Sequence, residues 1–130
     1  MINTPAKLNF VIADDDRMTR NVLRMLLRES YHHVAGEAGD GEKALELCIE
    51  HQPDIAFIDI DMPKLDGHQA TQKIREQCRN TQVIVVSALA TVSHVQQALQ
   101  AGANGFLVKP FNSNKVNEAI QQCMKKLKAD

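Results

Sequence analysis

Polar residues that can bind a metal ion or a phosphate group follow four apolar segments of the sequence. Three aspartates stand at 14–16, Asp59 ends the run IAFID and is closely followed by Asp61, Ser87 ends QVIVVS, and Lys109 follows GFLV. A carboxylate beside an apolar segment is costly to bury unless a partner neutralises it. Crowded carboxylates repel one another, so the group requires a cation. Hard oxygen ligands in small number favour Mg²⁺ over a calcium cage.

The combination of these residue types suits phosphoryl transfer. A metal ion and Lys109 can neutralise the equatorial oxygens of a phosphoryl group while Asp59 attacks in line as a nucleophile. Ser87 adds a hydroxyl that can hydrogen-bond the same group. This chemistry requires the ends of the four apolar segments to meet at one place in the fold.

Strand and helix patterns alternate along the chain with short loops between them. Apolar runs predict strands at 8–13, 33–38, 54–59, 82–87 and 105–108. Each is followed by a helical pattern, which predicts an α/β fold with a five-stranded parallel sheet and five helices on both faces, the flavodoxin-like arrangement. In the strand order 2-1-3-4-5, the carboxyl ends that carry the acids, the serine and the lysine share one rim, where open α/β sheets bind ligands.

Two of the predicted helices have apolar residues at helical spacing, which predicts the face that each helix buries. These residues are Met18, Val22, Met25 and Leu26 in the first helix and Val92, Val95 and Leu99 in the fourth. Asp16 stands directly before the first helix, where aspartate is a common N-cap. Asp66 takes the corresponding place before the third helix. Both acids are therefore interpreted as capping residues and not as metal ligands.

The composition is that of one folded domain. The chain has 130 residues, of which 44 % are apolar, and a formal net charge of −1. We expect a single domain over 1–130 with a folded core at about 8–127. A net charge near zero provides no broad field that would attract nucleic acid or an anionic membrane.

Localisation signals and cysteine spacing both favour the cytoplasm. No apolar stretch is long enough to span a bilayer, and no signal-peptide pattern begins the sequence. Cys48, Cys78 and Cys123 are far apart and form no Cys-x-x-Cys pair, so neither a disulfide framework nor a zinc site is predicted. The five histidines show no ligand spacing and are expected at the solvated surface.

Four short motifs carry a family resemblance. They are, in chain order, DD at 14–15, D-x-D-M-P-x-x-D-G at 59–67, SA at 87–88 and KPF at 109–111. This set of motifs and its spacing resemble the receiver domain of two-component response regulators. The resemblance covers about residues 8–127. It implies a switch that takes a phosphoryl group from a sensor histidine kinase or a histidine phosphotransfer protein and relays a conformational change to the strand 4–helix 4–strand 5 region.

The resemblance also implies a role for each residue of the acid group. Asp59 would be the phosphoacceptor. Asp15 and Asp59 would bind Mg²⁺ directly, together with the main-chain carbonyl of Asp61, and Asp14 would act mainly through water. Lys109 would pair with the phosphoryl group.

Two further residues would form the switch. Ser87 would hydrogen-bond a phosphoryl oxygen, and Phe106 would be the aromatic ring that changes its position. Threonine and tyrosine are also common in the family at these two places, so this chain lacks a methyl group at the first and a ring hydroxyl at the second. The bond between Lys109 and Pro110 would be cis.

Other functions remain as alternatives. A phosphatase of the haloacid-dehalogenase type also has an apolar strand followed by Asp-x-Asp, but its strand motif comes near the N-terminus. A flavin- or nucleotide-binding module needs a phosphate-cradling loop after strand 1, where the acids at 14–16 would repel phosphate. A third alternative is a receiver-like interaction module that is never phosphorylated.

Activity and partners follow from the leading interpretation. We expect self-catalysed phosphorylation and dephosphorylation of Asp59 rather than the turnover of a conventional enzyme. A downstream output protein is expected, and phosphorylation could also produce a dimer. Only 21 residues follow Lys109, enough for one helix, so no output domain is expected within this chain.

Overall fold

The computed structural model describes residues 7–129, with side chains described as far as residue 125. Strands and helices alternate throughout this range. In chain order they are β1 Asn9–Ala13, α1 Arg17–Glu29, β2 His33–Ala38, α2 Gly41–His51, β3 Ile55–Asp59, α3 Gly67–Gln77, β4 Gln82–Ser87, α4 Val92–Gln100, β5 Gly105–Val108 and α5 Ser113–Ala129. The predicted strand boundaries agree with these to within one residue.

The five strands form one parallel sheet in the order β2-β1-β3-β4-β5. This confirms the predicted fold class and strand order. Every residue of β3 and β4 is buried, as expected for central strands with helices on both sides. The order places the end of β1 beside the end of β3, because β1 and β3 are paired directly.

Two apolar cores lie on opposite faces of the sheet. One contains Leu23 and Leu27 of α1 together with Val116 and Ile120 of α5. The other is formed by α2, α3 and α4, whose buried residues are Ala44, Leu47, Cys48, Ala70, Ile74 and Ala98. Successive strand residues alternate between the two cores: Phe10 belongs to the first core and Val11 to the second. Two layers of helices therefore hold the strand ends in place from both sides.

The buried face of α1 differs from the prediction. Leu23 and Leu27 are the buried residues of this helix, whereas Met18 is 70 % exposed and Met25 58 % exposed. Leu26 packs partly against the core, so the prediction holds for that residue. The helix has apolar residues around much of its circumference, and spacing alone could not show which group faces the sheet.

The predicted face of α4 is also largely exposed. Ala98 is the buried residue of this helix, while Val92 is 74 % exposed and Leu99 53 % exposed. The helix packs against α3 and the short edge strand β5, which cover only part of its surface. Apolar residues at helical spacing therefore mark an exposed surface here.

The predicted capping residues are confirmed. The side chain of Asp16 accepts a hydrogen bond from the Met18 amide at 3.2 Å, and the Asp66 carboxylate accepts one from the Gln69 amide at 2.9 Å. The Gln69 side chain bonds back to the Asp66 amide, which completes a capping box. Both acids are thus used to begin helices.

The expectation that all the histidines are solvated is wrong for two of them. In His68 both ring nitrogens are buried. The other is His32. This side chain is 8 % exposed, packs against the ring of Phe10, and accepts a hydrogen bond from the Leu8 amide at its Nδ1 atom. Burial lowers the pKa of His32, which favours the neutral ring. The interaction joins the turn after α1 to the start of β1.

The three cysteines are fully buried within the apolar cores. Burial raises the pKa of the Cys48 thiol to about 12, so it remains protonated and unreactive at neutral pH. Among the described residues, no helix is long and apolar enough to cross a membrane.

Candidate functional site

The site lies at the carboxyl ends of three strands. Asp14 directly follows β1, and its amide donates to the Ala38 carbonyl at 3.0 Å, which continues the pairing of β1 with β2. Asp59 is the last residue of β3. Lys109 directly follows β5, and its amide donates to the Ser87 carbonyl at 2.8 Å. Regular sheet hydrogen bonds therefore set the relative positions of these residues.

Three carboxylates converge at this edge of the sheet. Asp14, Asp15 and Asp59 each offer an oxygen, and these oxygens lie within 4.8 Å of one another. Asp14 and Asp59 are buried, at 5 % and 4 % exposure, whereas Asp15 is exposed. The cluster is thus walled by the protein on one side and open to solvent on the side of Asp15.

Lys109 joins two of these acids. Its Nζ atom lies 2.8 Å from Asp14 Oδ2 and 3.1 Å from Asp59 Oδ1. Burial by itself would lower the pKa of Lys109, but the hydrogen bonds to Asp14 and Asp59 outweigh it, so the pKa is raised. The ammonium group is therefore firmly charged at physiological pH.

Asp59 is an acid whose charged form is costly in the folded protein. Burial, followed by the charge of Asp14, raises its pKa to about 6, and the bond to Lys109 offsets only part of this effect. A buried carboxylate with an elevated pKa beside a lysine is typical of a functional site. The arrangement favours any ligand that relieves the repulsion among the three acids.

The donor set fits Mg²⁺. Three carboxylates face one ammonium group, which leaves an excess of negative charge, and all the converging ligand atoms are hard oxygens. Asp14 has both oxygens engaged already, Oδ1 by the Asp16 amide and Oδ2 by Lys109. Asp15 and Asp59 are thus better suited to direct coordination, and Asp14 to a role through water.

Three other predicted site residues are not part of the acid cluster. Asp61 is exposed in the loop after β3 and is not among the three acids that converge. Ser87 is buried, and its Oγ atom accepts a hydrogen bond from the Leu89 amide at 3.0 Å. Phe106 is half-buried against the core on the α2–α4 side of the sheet. Their functional roles stay predictions, as does that of Asp59. The predicted cis bond between Lys109 and Pro110 is present.

Gly67 allows α3 to begin directly against the backbone of Asp59. A Cβ atom at this glycine would lie 2.3 Å from the Asp59 carbonyl oxygen and 2.5 Å from the Ile60 Cα atom. The Gly67 amide donates to the Ile60 carbonyl at 2.9 Å. Close packing of helix on strand thus helps to fix Asp59.

A groove beside the site was not predicted from the sequence. It has a volume of about 280 Å³ and lies between α1 and the segment that follows β5. Its lining residues are Asp16, Met18, Thr19, Val22, Lys109, Pro110 and Phe111. The sequence signal for this groove was the apolar face of α1 that contains Met18 and Val22, but the helical spacing of that face predicted burial in the core.

The sequence matches the family model of the response regulator receiver domain over residues 10–121. The chain belongs to this family. It is 38 % identical over 111 residues to the transcriptional regulatory protein PdtaR of Mycobacterium tuberculosis, an alignment that covers 85 % of this chain and 54 % of PdtaR. It is 37 % identical over 114 residues to the chemotaxis protein CheY of Bacillus subtilis, which covers 88 % of this chain and 95 % of CheY. This receiver thus spans about half the length of PdtaR but nearly all of CheY.

A solved structure extends the similarity to three dimensions. The receiver fold is similar to a chain of the CheX–CheY–BeF₃–Mg²⁺ complex from Borrelia burgdorferi, with a TM-score of 0.82 and 34 % identity. The alignment covers 92 % of this chain and 88 % of that chain. Family and fold are therefore established together.

Proposed function

We propose that this receiver domain is a phosphorylation-activated switch in which Asp59 accepts a phosphoryl group from a histidine of a sensor kinase or a phosphotransfer protein. The observation that supports this most directly is the convergence of three acid oxygens within 4.8 Å, with Lys109 Nζ held between Asp14 and Asp59. Family membership supports the same function.

The protein's own residues account for the transfer step. A carboxylate oxygen of Asp59 attacks the phosphorus atom while the bond between phosphorus and the donor histidine nitrogen breaks. The electron pair of the broken bond stays on that nitrogen. Lys109 already contacts Asp59 and can neutralise an oxygen of the incoming group. Asp14 keeps the ammonium group in place throughout.

Asp15, Asp59 and the main-chain carbonyl of Asp61 would hold Mg²⁺ here. The metal ion would supply charge neutralisation for the phosphoryl oxygens. The CheX–CheY complex from Borrelia burgdorferi contains Mg²⁺, which supports this assignment by similarity.

Ser87 would form a hydrogen bond to the phosphoryl group and so respond to phosphorylation. Its Oγ atom now accepts from the Leu89 amide, so the hydroxyl proton is free to be donated elsewhere. Donation to a phosphoryl oxygen would pull on the segment between β4 and α4. Phe106, on the neighbouring strand β5 opposite Val85, would then repack, and the exposed apolar side chains of α4 would contact an output protein or a second copy.

The groove between α1 and Phe111 would receive the phosphodonor protein. Met18 and Val22 line it, and Met25 continues the exposed apolar stripe along α1. Lys109 lines the same groove, so a helix that docked there could present a histidine side chain to Asp59. An exposed apolar stripe beside a reactive site is typical of a partner surface.

Mass spectrometry can test the modification. Incubation with Mg²⁺ and acetyl phosphate should add one phosphoryl group to the wild-type chain and none to Asp59→Asn. Chelation of Mg²⁺ should abolish the labelling. A label that persisted on another residue of Asp59→Asn would refute the assignment.

The donor surface can be tested separately. Met18→Asp should slow phosphorylation by a histidine phosphotransfer protein at least about tenfold, because a charge would enter an apolar contact. Its rate with acetyl phosphate should stay near that of the wild type. Ile49→Asp is the matched control, since Ile49 is also partly exposed but lies on α2. Equal rates with the protein donor for both variants would place the docking surface elsewhere.

The cytoplasmic location stays a prediction.

A further inference from the structure

Arg20 reaches from the second turn of α1 to the acid-bearing turn after β1. Its Nη1 atom donates a hydrogen bond of 2.5 Å to the main-chain carbonyl of Asp14. The side chain is only 18 % exposed, so this bond is largely shielded from water. The carbonyl it holds belongs to the first residue of the turn that carries Asp14 and Asp15.

Glu37 of β2 holds Arg20 from the other side. Its Oε1 atom lies 3.6 Å from Arg20 Nε, too far for a hydrogen bond but close enough for an ion pair. Its Oε2 atom accepts a hydrogen bond of 2.5 Å from Arg24, which in turn bonds Asn21. Glu37 is thus anchored by a second arginine and keeps its charge beside Arg20.

These contacts continue directly into the acid cluster. Arg20 fixes the carbonyl of Asp14, the carboxylate of Asp14 binds Lys109, and Lys109 binds Asp59. A chain of contacts therefore runs from the edge strand β2 to the proposed phosphoacceptor. The amide of Asp14 is bonded to the Ala38 carbonyl in the same region, so both sides of this peptide segment are held by α1 and β2.

We infer that Arg20, held by Glu37, is a positioning residue that fixes the turn bearing Asp14 and Asp15 in the geometry that binds the divalent cation. The inference rests on the proposed function, because it concerns the same Mg²⁺ site. Arg20 acts through the Asp14 carbonyl and touches neither the cation nor the phosphoryl group.

A positioning role and a purely electrostatic role of Arg20 predict opposite changes in Mg²⁺ affinity when Arg20 is replaced. A guanidinium near the site repels a divalent cation, so its loss would strengthen binding if charge alone mattered, and added salt would reduce the difference. Loss of an anchor that orients ligands weakens binding instead, and salt has little influence on that effect. The sign of the change in Mg²⁺ affinity thus separates the two roles.

The experiment compares Arg20→Met with Arg24→Met by calorimetric Mg²⁺ titration of the full chain in about 0.05 M and about 0.5 M KCl. Arg24→Met is the matched control, since it removes the other arginine of Glu37 but leaves the Asp14 carbonyl bonded. We expect the Kd for Mg²⁺ to rise about tenfold in Arg20→Met at both salt concentrations. For Arg24→Met we expect a change of less than about twofold, because its contact to the turn is indirect.

Urea unfolding of the same variants excludes a purely structural role. If Arg20 only stabilised the fold, Arg20→Met would lower the free energy of unfolding and leave the Kd of the folded protein unchanged. That result would overturn the inference. Tighter Mg²⁺ binding by Arg20→Met at low salt would overturn it as well. If Arg20→Met does not fold, Arg20→Ala replaces it, and a Kd equal to that of the wild type would then refute the inference.

Wild-type controls keep this test separate from that of the proposed function. A wild-type chain that bound no Mg²⁺ and gained no phosphoryl group would refute the proposed function. A wild-type chain that did both, with an unaltered Kd in Arg20→Met, would refute only the positioning role.

Discussion

Three aspartates of one cluster have different environments, and these set their chemistry. Asp14 is buried and has both carboxylate oxygens engaged, Asp15 is exposed, and Asp59 is buried beside Lys109. The pKa of Asp59 is raised to about 6, first by burial and then by the charge of Asp14. At the residue scale, the charged carboxylate of Asp59 therefore lowers the stability of the folded state at neutral pH.

Asp59→Asn should stabilise the protein in the absence of divalent cations. The charged form of Asp59 is penalised in the folded state, so the penalty is complete above a pH of about 6 and fades as the pH falls towards the ordinary value of 3.8. We expect urea unfolding at pH 7.5 with EDTA to show a gain of about 1–2 kcal/mol, after a discount for solvent at the open rim. Near pH 4 the gain should vanish. Lower stability of Asp59→Asn at pH 7.5 would contradict the prediction.

His32 should make stability fall in mild acid. Burial lowers its pKa below the ordinary value of 6.5, so the unfolded chain binds a proton more readily than the folded one. The contribution of the neutral ring is complete above pH 6.5 and is lost as the pH falls below that value. Asn can offer an acceptor to the Leu8 amide but does not titrate. As the pH falls from 7 to 5, the unfolding free energy of His32→Asn should therefore rise relative to that of the wild type.

His33→Asn is the control for that measurement, because His33 is exposed on the neighbouring position. Asp59 is present in both variants, so its opposing pH dependence cancels from the comparison. Identical pH profiles for wild type and His32→Asn would show that the buried ring does not determine this loss.

At the scale of elements, the site depends on how closely helices approach strand ends. Helix α3 begins against the last residue of β3 because position 67 has no side chain. Helix α1 presents Leu23 and Leu27 to the sheet, Arg20 to the turn after β1, and Met18 to the groove. One helix thus contributes to the core, to the acid-bearing turn and to the proposed donor surface.

Gly67→Ala should destabilise the protein by about 2–3 kcal/mol, since the added carbon meets backbone atoms that cannot rotate away. Its Cβ atom would lie 2.3 Å from the Asp59 carbonyl oxygen. Gly36→Ala is the control, because its Cβ atom would meet only the end of the Leu47 side chain at 3.1 Å. We expect Gly36→Ala to cost less than about 1 kcal/mol in urea unfolding. Equal costs for the two variants would show that the α3–β3 approach can relax.

At the scale of the whole molecule, the proposed signal crosses the sheet from β3 to β5. Asp59, Ser87 and Lys109 end or follow three neighbouring strands, and their backbones are joined by the hydrogen bonds of Ile60 to Val86 and of Lys109 to Ser87. In the proposed switch, a phosphoryl group on Asp59 would act through these hydrogen bonds on the β4–α4 segment and on Phe106 of β5.

Ser87→Ala should uncouple phosphorylation from this response. The variant keeps the acid cluster and Lys109, so Mg²⁺ binding and labelling by acetyl phosphate should persist. It lacks the hydroxyl that would bond the phosphoryl group, so the phosphorylation-induced NMR shift changes around Phe106 should fall to less than about half, by the loss of a charge-assisted hydrogen bond. The full wild-type shift changes in phosphorylated Ser87→Ala would rule out this relay.

Local patterns in the sequence determined the order of elements and the main parts of the candidate site. Apolar runs of five or six residues fixed β3 and β4 to within one residue, and the caps Asp16 and Asp66 marked the starts of two helices. Strand–helix alternation implied parallel strands, whose carboxyl ends share an edge. These features could be predicted because each arises from a short stretch of chain or from connection rules that hold for the whole fold class.

Only the tertiary structure decided which side chains face which neighbours. The exposed face of α1, the burial of His32 against Phe10, and the bond from Arg20 to the Asp14 carbonyl each join segments that sequence spacing does not relate. The pKa of Asp59 likewise depends on burial and on a charge brought from another strand. The sequence by itself therefore determined the fold and the residues at the rim, whereas packing decided their burial, their charge and their partners, because those quantities depend on distances that exist only in the folded chain.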